Sequence, residues 1–178
     1  MESLGTYDTV LADYLVGAMD GFSPYTQDLI FGKLKSLLKP GGRLYIIGLE
    51  PIPDSTSGIA NIICKVRQVR DACILLAGHR CYREYPKVWV ERQLDLAGFK
   101  RISSEEFPIL YSHQTIERQI NVGRRKIPFF ATEGLKQEMK TALDMLSEKS
   151  KEATGKSPGG RINFGFDYII TAEKAETW

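Results

Sequence analysis

Leu29-Ile30-Phe31-Gly32-Lys33-Leu34-Lys35-Ser36-Leu37-Leu38-Lys39-Pro40-Gly41-Gly42-Arg43-Leu44-Tyr45-Ile46-Ile47-Gly48 decides the fold class. Ile30, Leu34, Leu37 and Leu38 recur at helical spacing and predict an amphipathic helix. Lys39 suits the negative end of that helix, and Pro40 cannot continue it. Gly41 and Gly42 supply the permissive backbone of a tight reversal. Arg43 to Gly48 then reads as a buried strand. Helix, reversal and strand together predict an α/β crossover.

Working outward, Thr6 to Leu15 forms an apolar run that predicts a preceding strand, with Gly17 to Gly21 as a loop. Ser23 and Pro24 supply a cap and a first-turn proline, so the helix is expected from there through to Leu38. Two prolines and a Ser/Thr/Gly cluster make Glu50 to Gly58 a loop. Ile59, Ile62, Ile63, Val66, Val69, Cys73 and Leu76 predict a helix that stops near Gly78. Pro86 opens another, carrying Trp89, Leu94 and Ala97 to Gly98. Trp89 lies on its apolar face and is read as core.

Phe99 to Leu110 is expected as a strand, while Tyr111 to Phe130 follows no single period. Glu133 to Ser150 reads as a helix capped by Thr132, Lys151 to Arg161 as a mobile loop, and Asn163 to Glu173 as an alternating strand.

Composition narrows the class of function. The chain has 178 residues, of which 43% are hydrophobic and 26% charged, and a net charge of +2. That length suits a single domain with a sizeable core. The near-neutral charge and the short run Arg124-Arg125-Lys126 argue against a nucleic-acid partner. No apolar run is long enough to span a bilayer, and the first residues do not form a secretory signal. Cys64, Cys73 and Cys81 fit reduced thiols, so a cytoplasmic protein is expected. No fourth ligand joins Cys73, His79 and Cys81, and no metal is expected. Gly155-Lys156-Ser157 lacks the strand and the earlier glycine of a phosphate-binding loop.

Three motifs in order carry a resemblance. Tyr7-Asp8-Thr9-Val10-Leu11-Ala12-Asp13, Leu38-Lys39-Pro40-Gly41-Gly42-Arg43-Leu44 and Leu94-Asp95-Leu96-Ala97-Gly98-Phe99 resemble landmarks of class I S-adenosylmethionine-dependent methyltransferases. They match that family's fourth strand, the approach to its fifth, and the join to its sixth. The resemblance implies a partial Rossmann-like α/β fold, mainly parallel, with an antiparallel last strand between the fifth and sixth. It leaves no segment for the first three strands, nor for the glycine-rich cofactor turn that follows the first. The expectation is one truncated domain, residues 1–178, with a helical insertion at about 112–160. Its first strand would be an apolar edge with no lysine or proline to protect it. A truncated product, an incomplete gene model, or a chain completed by a partner or an N-terminal segment would each fit.

The resemblance also implies the chemistry: methyl transfer from S-adenosylmethionine to an O or N atom of a small-molecule acceptor. Asp13 and Tyr14, at the carboxyl end of the first strand, would bind cofactor, where open α/β sheets place ligands. Asp13 could instead cap its own loop. In His79-Arg80-Cys81-Tyr82-Arg83-Glu84-Tyr85, His79 would be the catalytic base, and Tyr82 and Arg83 would hold the substrate. A solvated basic loop is the other reading of that segment, and His113 is the weaker of the two histidines. The alternative function is an inactive remnant, or a non-catalytic subunit that completes another chain. A nucleotide-dependent oxidoreductase would not explain the Leu-Lys-Pro-Gly-Gly and Ala-Gly-Phe landmarks.

Overall fold

The computed structural model describes residues 5–175. They fold as two compact units, each drawn from separate stretches of the chain. Unit 1 comprises Met1–Pro51, Tyr82–Phe107 and Phe166–Trp178, and unit 2 comprises Ile52–Cys81 and Pro108–Gly165.

Unit 1 is built on a mixed sheet. The strands are β1 (Tyr7–Asp13), β2 (Leu38–Leu49), β3 (Phe99–Ser112) and β4 (Arg161–Lys174), in the spatial order β1-β2-β4-β3. β1 pairs parallel to β2, and β2 pairs antiparallel to β4. β3 and β4 each run on covalently into unit 2. The expected insertion of the last strand beside the fifth-type strand is therefore present.

Side chains alternate across these strands and so define two faces. Ala12, Leu44, Ile46, Ile170 and Ala172 are buried on one face with Phe31 and Leu34 of α2 (Ile30–Ser36) and Val90 and Leu94 of α4 (Lys87–Leu96). Phe31 and Leu44 are wholly buried, and burying each such side chain contributes roughly 2–3 kcal/mol. The opposite face keeps Leu11 61% exposed, and Tyr45, Ile47 and Ile169 are only half-buried.

Four local expectations need correction. Residues 22–29 form turns, and helix α2 starts only at Ile30. Tyr25 takes a left-handed φ of 66°, which no α-helix accommodates. The Thr26 hydroxyl donates to the Ser23 carbonyl at 2.7 Å and closes a local turn there. Gly17 to Gly21 is a short helix α1 (Leu15–Ala18) followed by one tighter helical turn, Met19–Gly21.

Lys39 to Gly42 is a bulge inside β2 rather than a reversal before it. Tyr7 pairs with Leu38 and Thr9 with Arg43, so those four residues lie opposite Asp8 alone. Gly41, at φ 73°, makes the bulge possible. Finally, the expected mobile loop at 151–161 is largely ordered. α6 (Glu133–Gly155) runs five residues past Ser150, and a tight turn, Pro158–Gly160, precedes β4. Within this stretch the Ser150 hydroxyl donates to the Ser147 carbonyl at 2.8 Å and the Thr154 hydroxyl to the Ser150 carbonyl at 2.9 Å.

Unit 2 is helical. α3 (Asn61–Leu76), α5 (His113–Arg124) and α6 pack on one another around Ile63, Val66, Cys73, Ile116, Ile120 and Leu143. α3 ends in a Schellman turn: the Gly78 amide donates to the Leu75 carbonyl and the His79 amide to the Ile74 carbonyl. Gly78 supplies the required left-handed residue, at φ 72°. The ambiguous stretch before Phe130 becomes α5, capped by the Ser112 hydroxyl accepting from the Thr115 amide. Where the sequence reading has one domain with an insertion, the structure groups α3 with α5 and α6. Cys64, Cys73 and Cys81 are free thiols.

Candidate functional site

The candidate site gathers at the carboxyl ends of β1 and β2, in unit 1. β1 ends at Asp13, and Tyr14 follows with a left-handed φ of 47°, its amide donating to the Ile47 carbonyl at 3.0 Å. That conformation is costly for a residue with a Cβ. It turns the Tyr14 side chain so that its hydroxyl donates to Asp167 Oδ1 at 2.9 Å. Burial, followed by this bond and the charge on Asp167, pushes the Tyr14 phenol up to about 12. Asp13 and Glu84 add to the effect, so a carboxylate-rich environment surrounds this tyrosine.

The segment carrying Tyr82 and Arg83 is tied down beside it. Buried Asp20 accepts from the Arg83 amide at 3.0 Å and from Gln27 Nε2 at 2.7 Å. Tyr168 is buried and donates its hydroxyl to the Tyr85 carbonyl at 2.9 Å. Glu50, just past β2, accepts from the Lys87 amide at 2.9 Å. Gly17 packs so closely that a Cβ there would lie 2.5 Å from Glu84 Oε2. Burial holds the Tyr168 phenol above its ordinary range, with Glu84 and Glu50 contributing repulsion. Both tyrosines therefore stay protonated at neutral pH and act as hydrogen-bond donors, not bases.

Asp13, Tyr14, Tyr82 and Arg83 thus belong to one unit, with Tyr14 and the Arg83–Glu84 segment within electrostatic reach. Tyr82 is exposed, and Arg83 is held through its backbone. His79 belongs to unit 2. Its Nδ1 lies 2.9 Å from Lys126 Nζ, and its ring packs edge-on against Phe129. An ammonium can only donate, so Nδ1 is the acceptor and the imidazole proton sits on Nε2. His113 Nδ1 meets the buried Ser150 hydroxyl at 2.8 Å. Trp89 is half-buried against Phe31 and Tyr85.

Sequence reasoning missed Asp20, Glu50, Asp167 and Tyr168. Glu50 had a usable signal, since it directly follows a strand whose end faces a ligand crevice in open α/β sheets. Asp20 sat in a stretch read as loop, and no local pattern marks its burial.

The donor chemistry can be tested against a sulfonium cofactor. Carboxylates of Asp13, Glu50, Glu84 and Asp167 around two neutral tyrosines suit the positive sulfonium and α-ammonium of such a cofactor and repel the α-carboxylate beside them. The described residues contain no glycine-rich turn between a strand and a helix, and none is in place to accept a ribose diol at such a turn. The fit is to one end of the cofactor. Among the described residues no three histidine, cysteine or acidic side chains are grouped to hold a metal ion, and no helix is long and apolar enough to cross a membrane.

No protein-family profile matches the chain. No curated protein matches it either. Solved structures do. A Bacillus halodurans protein described as a candidate methyltransferase superposes with a TM-score of 0.52 over 98% of this chain and 68% of its own, at 18% identity. A mycolic acid cyclopropane synthase gives 0.49 at 13% identity, over 97% of this chain and 57% of its own. The cyclase SpnF gives 0.48 at 14% identity, over 97% and 51%. The chain therefore spans about two thirds of the first and little more than half of the others. With its β1-β2-β4-β3 sheet, this chain has the fold of the class I methyltransferases.

Proposed function

We propose that the chain takes part in S-adenosylmethionine-dependent methyl transfer to an O or N atom of a small-molecule acceptor, in the cytoplasm. One observation carries the reading: the carboxylate cluster and the two protonated tyrosines at the carboxyl ends of β1 and β2. Asp13, Tyr14, Glu50 and Glu84 would face the sulfonium and α-ammonium of the cofactor, and Tyr82 and Arg83 would contact the acceptor. When bound, the cofactor supplies an electrophilic methyl group. The chain's own residues orient the two reactants and exclude water, and for displacement of this kind proximity supplies much of the rate. His79 is the proposed base on the resemblance alone, and Lys126 would have to release its Nδ1 for that role. Three free thiols suit a reducing compartment.

A second reading is favoured by a separate observation. Among the described residues β1 ends the sheet, with a hydrogen-bonded strand on one side only, and Leu11 is exposed on it. On this reading the chain lacks the first three strands of the full fold and is a remnant or non-catalytic subunit, completed by a partner chain or an N-terminal segment.

Calorimetric titration with S-adenosylhomocysteine separates the two readings. If this chain holds the cofactor, heat of binding appears, and Asp13→Asn with Glu50→Gln weakens it about tenfold, as expected for lost charge-assisted contacts. If no heat appears, the claim of autonomous cofactor binding falls and the completed-subunit reading stands.

A further inference from the structure

Unit 2 carries a cleft of about 640 Å³ between α3 and α6. That is within the range of small-ligand sites, roughly 300–1,000 Å³. All of its lining comes from Ile59, α3, α6 and the residue that ends α6. Its floor is apolar, made by Ile62 and Val69 of α3 and by Met145 and Leu146 of α6. Met145 is 53% exposed and Ile59 42% exposed, so apolar surface at the cleft stands open to water.

The rim gives the sign of the occupant. Lys65, Lys149 and Lys156 line the cleft against one acid, Glu152. Glu152 is engaged by Lys156 one helical turn on, and that ammonium holds its carboxyl below the usual range. Lys65 donates to Gln68 Oε1, a neutral acceptor. Among the described residues neither Lys65 nor Lys149 has an ion-pair partner, and both line the cleft beside its apolar floor. Lysine stems also extend the apolar wall and leave the ammonium heads at the mouth.

We propose that this cleft binds a free long-chain carboxylate, its acyl chain along the α3–α6 floor and its head between Lys65 and Lys149. A cation is repelled by the rim. A wholly apolar ligand would leave the two ammonium groups unused. The site lies wholly in unit 2 and does not depend on the methyl-transfer reading.

The test uses the full chain and dodecanoate below its micellar concentration, with calorimetry and amide chemical shifts as readouts. One site is expected, with shifts confined to α3 and α6. Octanoate should bind at least about tenfold more weakly, because four fewer methylenes are buried. Dodecyltrimethylammonium should bind at least about tenfold more weakly as well. Lys65→Glu with Lys149→Glu should remove binding, while the corresponding double change to arginine retains it. Both lysines are exposed, so neither pair should alter the melting temperature. Ala142→Phe, which narrows the cleft, should also block binding. If that variant misfolds, the lysine pairs decide alone. Equal affinity for the cationic detergent overturns the proposal. So does binding to anionic vesicles or to an acidic amphipathic peptide in the absence of binding to free dodecanoate.

Discussion

At the scale of single residues, Tyr14 shows how strain and electrostatics meet at one position. Its left-handed backbone is disfavoured, yet its hydroxyl gains Asp167, and burial, followed by the surrounding carboxylates, favours the neutral phenol. The sign of the pH dependence follows. The folded phenol titrates at about 12 against an ordinary 10.0, so its stabilisation is complete below pH 10.0 and is lost as pH rises toward 12. Tyr14→Phe should cost about 0.5–1 kcal/mol at neutral pH, the lower half of a typical hydrogen bond, because the pair is exposed. Between those two pH values the variant should lose less stability than the parent. Urea melts across that window, with tyrosinate absorbance followed in parallel, provide the check. An unchanged alkaline slope would show that the Tyr14 phenol is not what destabilises the fold at high pH. The place of Asp13 and Tyr14 at the end of a strand was legible in the sequence. The Tyr14–Asp167 bond was not, since 153 residues separate its partners.

At the scale of elements, β2 and β4 are fitted to each other at Gly48 and Tyr168, which pair across the ladder. The Tyr168 ring lies flush on the glycine, and a Cβ at Gly48 would come within 2.3 Å of its Cζ and Oη. The same ring reaches Tyr85 through its hydroxyl, so this cross-strand pair also fixes the segment beside the candidate site. Gly48→Ala should therefore destabilise by about 2–3 kcal/mol, the upper part of the range for overpacking. It should also raise amide exchange at Arg83 and Glu84. Combining it with Tyr168→Leu should cost less than the two single changes summed, because the clash then has room to relax. Additive losses in chemical denaturation would refute the contact.

The same scale explains which elements were legible. Long periodic stretches such as α3, α4 and the central part of α6 follow from side-chain spacing alone. The ends do not. α2 starts late because Tyr25 adopts a backbone that its sequence does not announce, and α6 runs on to Gly155 through a polar stretch with no apolar period to mark it. The Lys39–Gly42 bulge is a fact of strand pairing, visible only when Asp8 stands opposite it.

At the scale of the whole chain, the sheet order follows the three landmarks, and the two-unit grouping comes from contacts that no local spacing encodes. What the sheet leaves open has a physical consequence. β1 lies at the end of the strand order, and Tyr7 and Leu11 on it are 48% and 61% exposed. Tyr45 and Ile47 on the neighbouring strand are half-buried on the face that Leu11 shares. Asp8, engaged by Lys39, is a charge on this edge, and Thr9 to Ala12 carry none. An apolar edge of this kind templates pairing with another chain. The isolated protein should therefore associate with rising concentration, seen as a growing sedimentation coefficient. Leu11→Lys places a charge at the middle of the edge without touching the buried face. It should shift the population toward monomer and change stability by less than about 0.5 kcal/mol, as for an exposed substitution. Ala12 points to the buried face instead, so Ala12→Lys should unfold unit 1 and serves as the contrast. If the parent sediments as a single monomeric species at every concentration, β1 is not an adhesive edge, and the case for a chain that needs completing loses its physical basis.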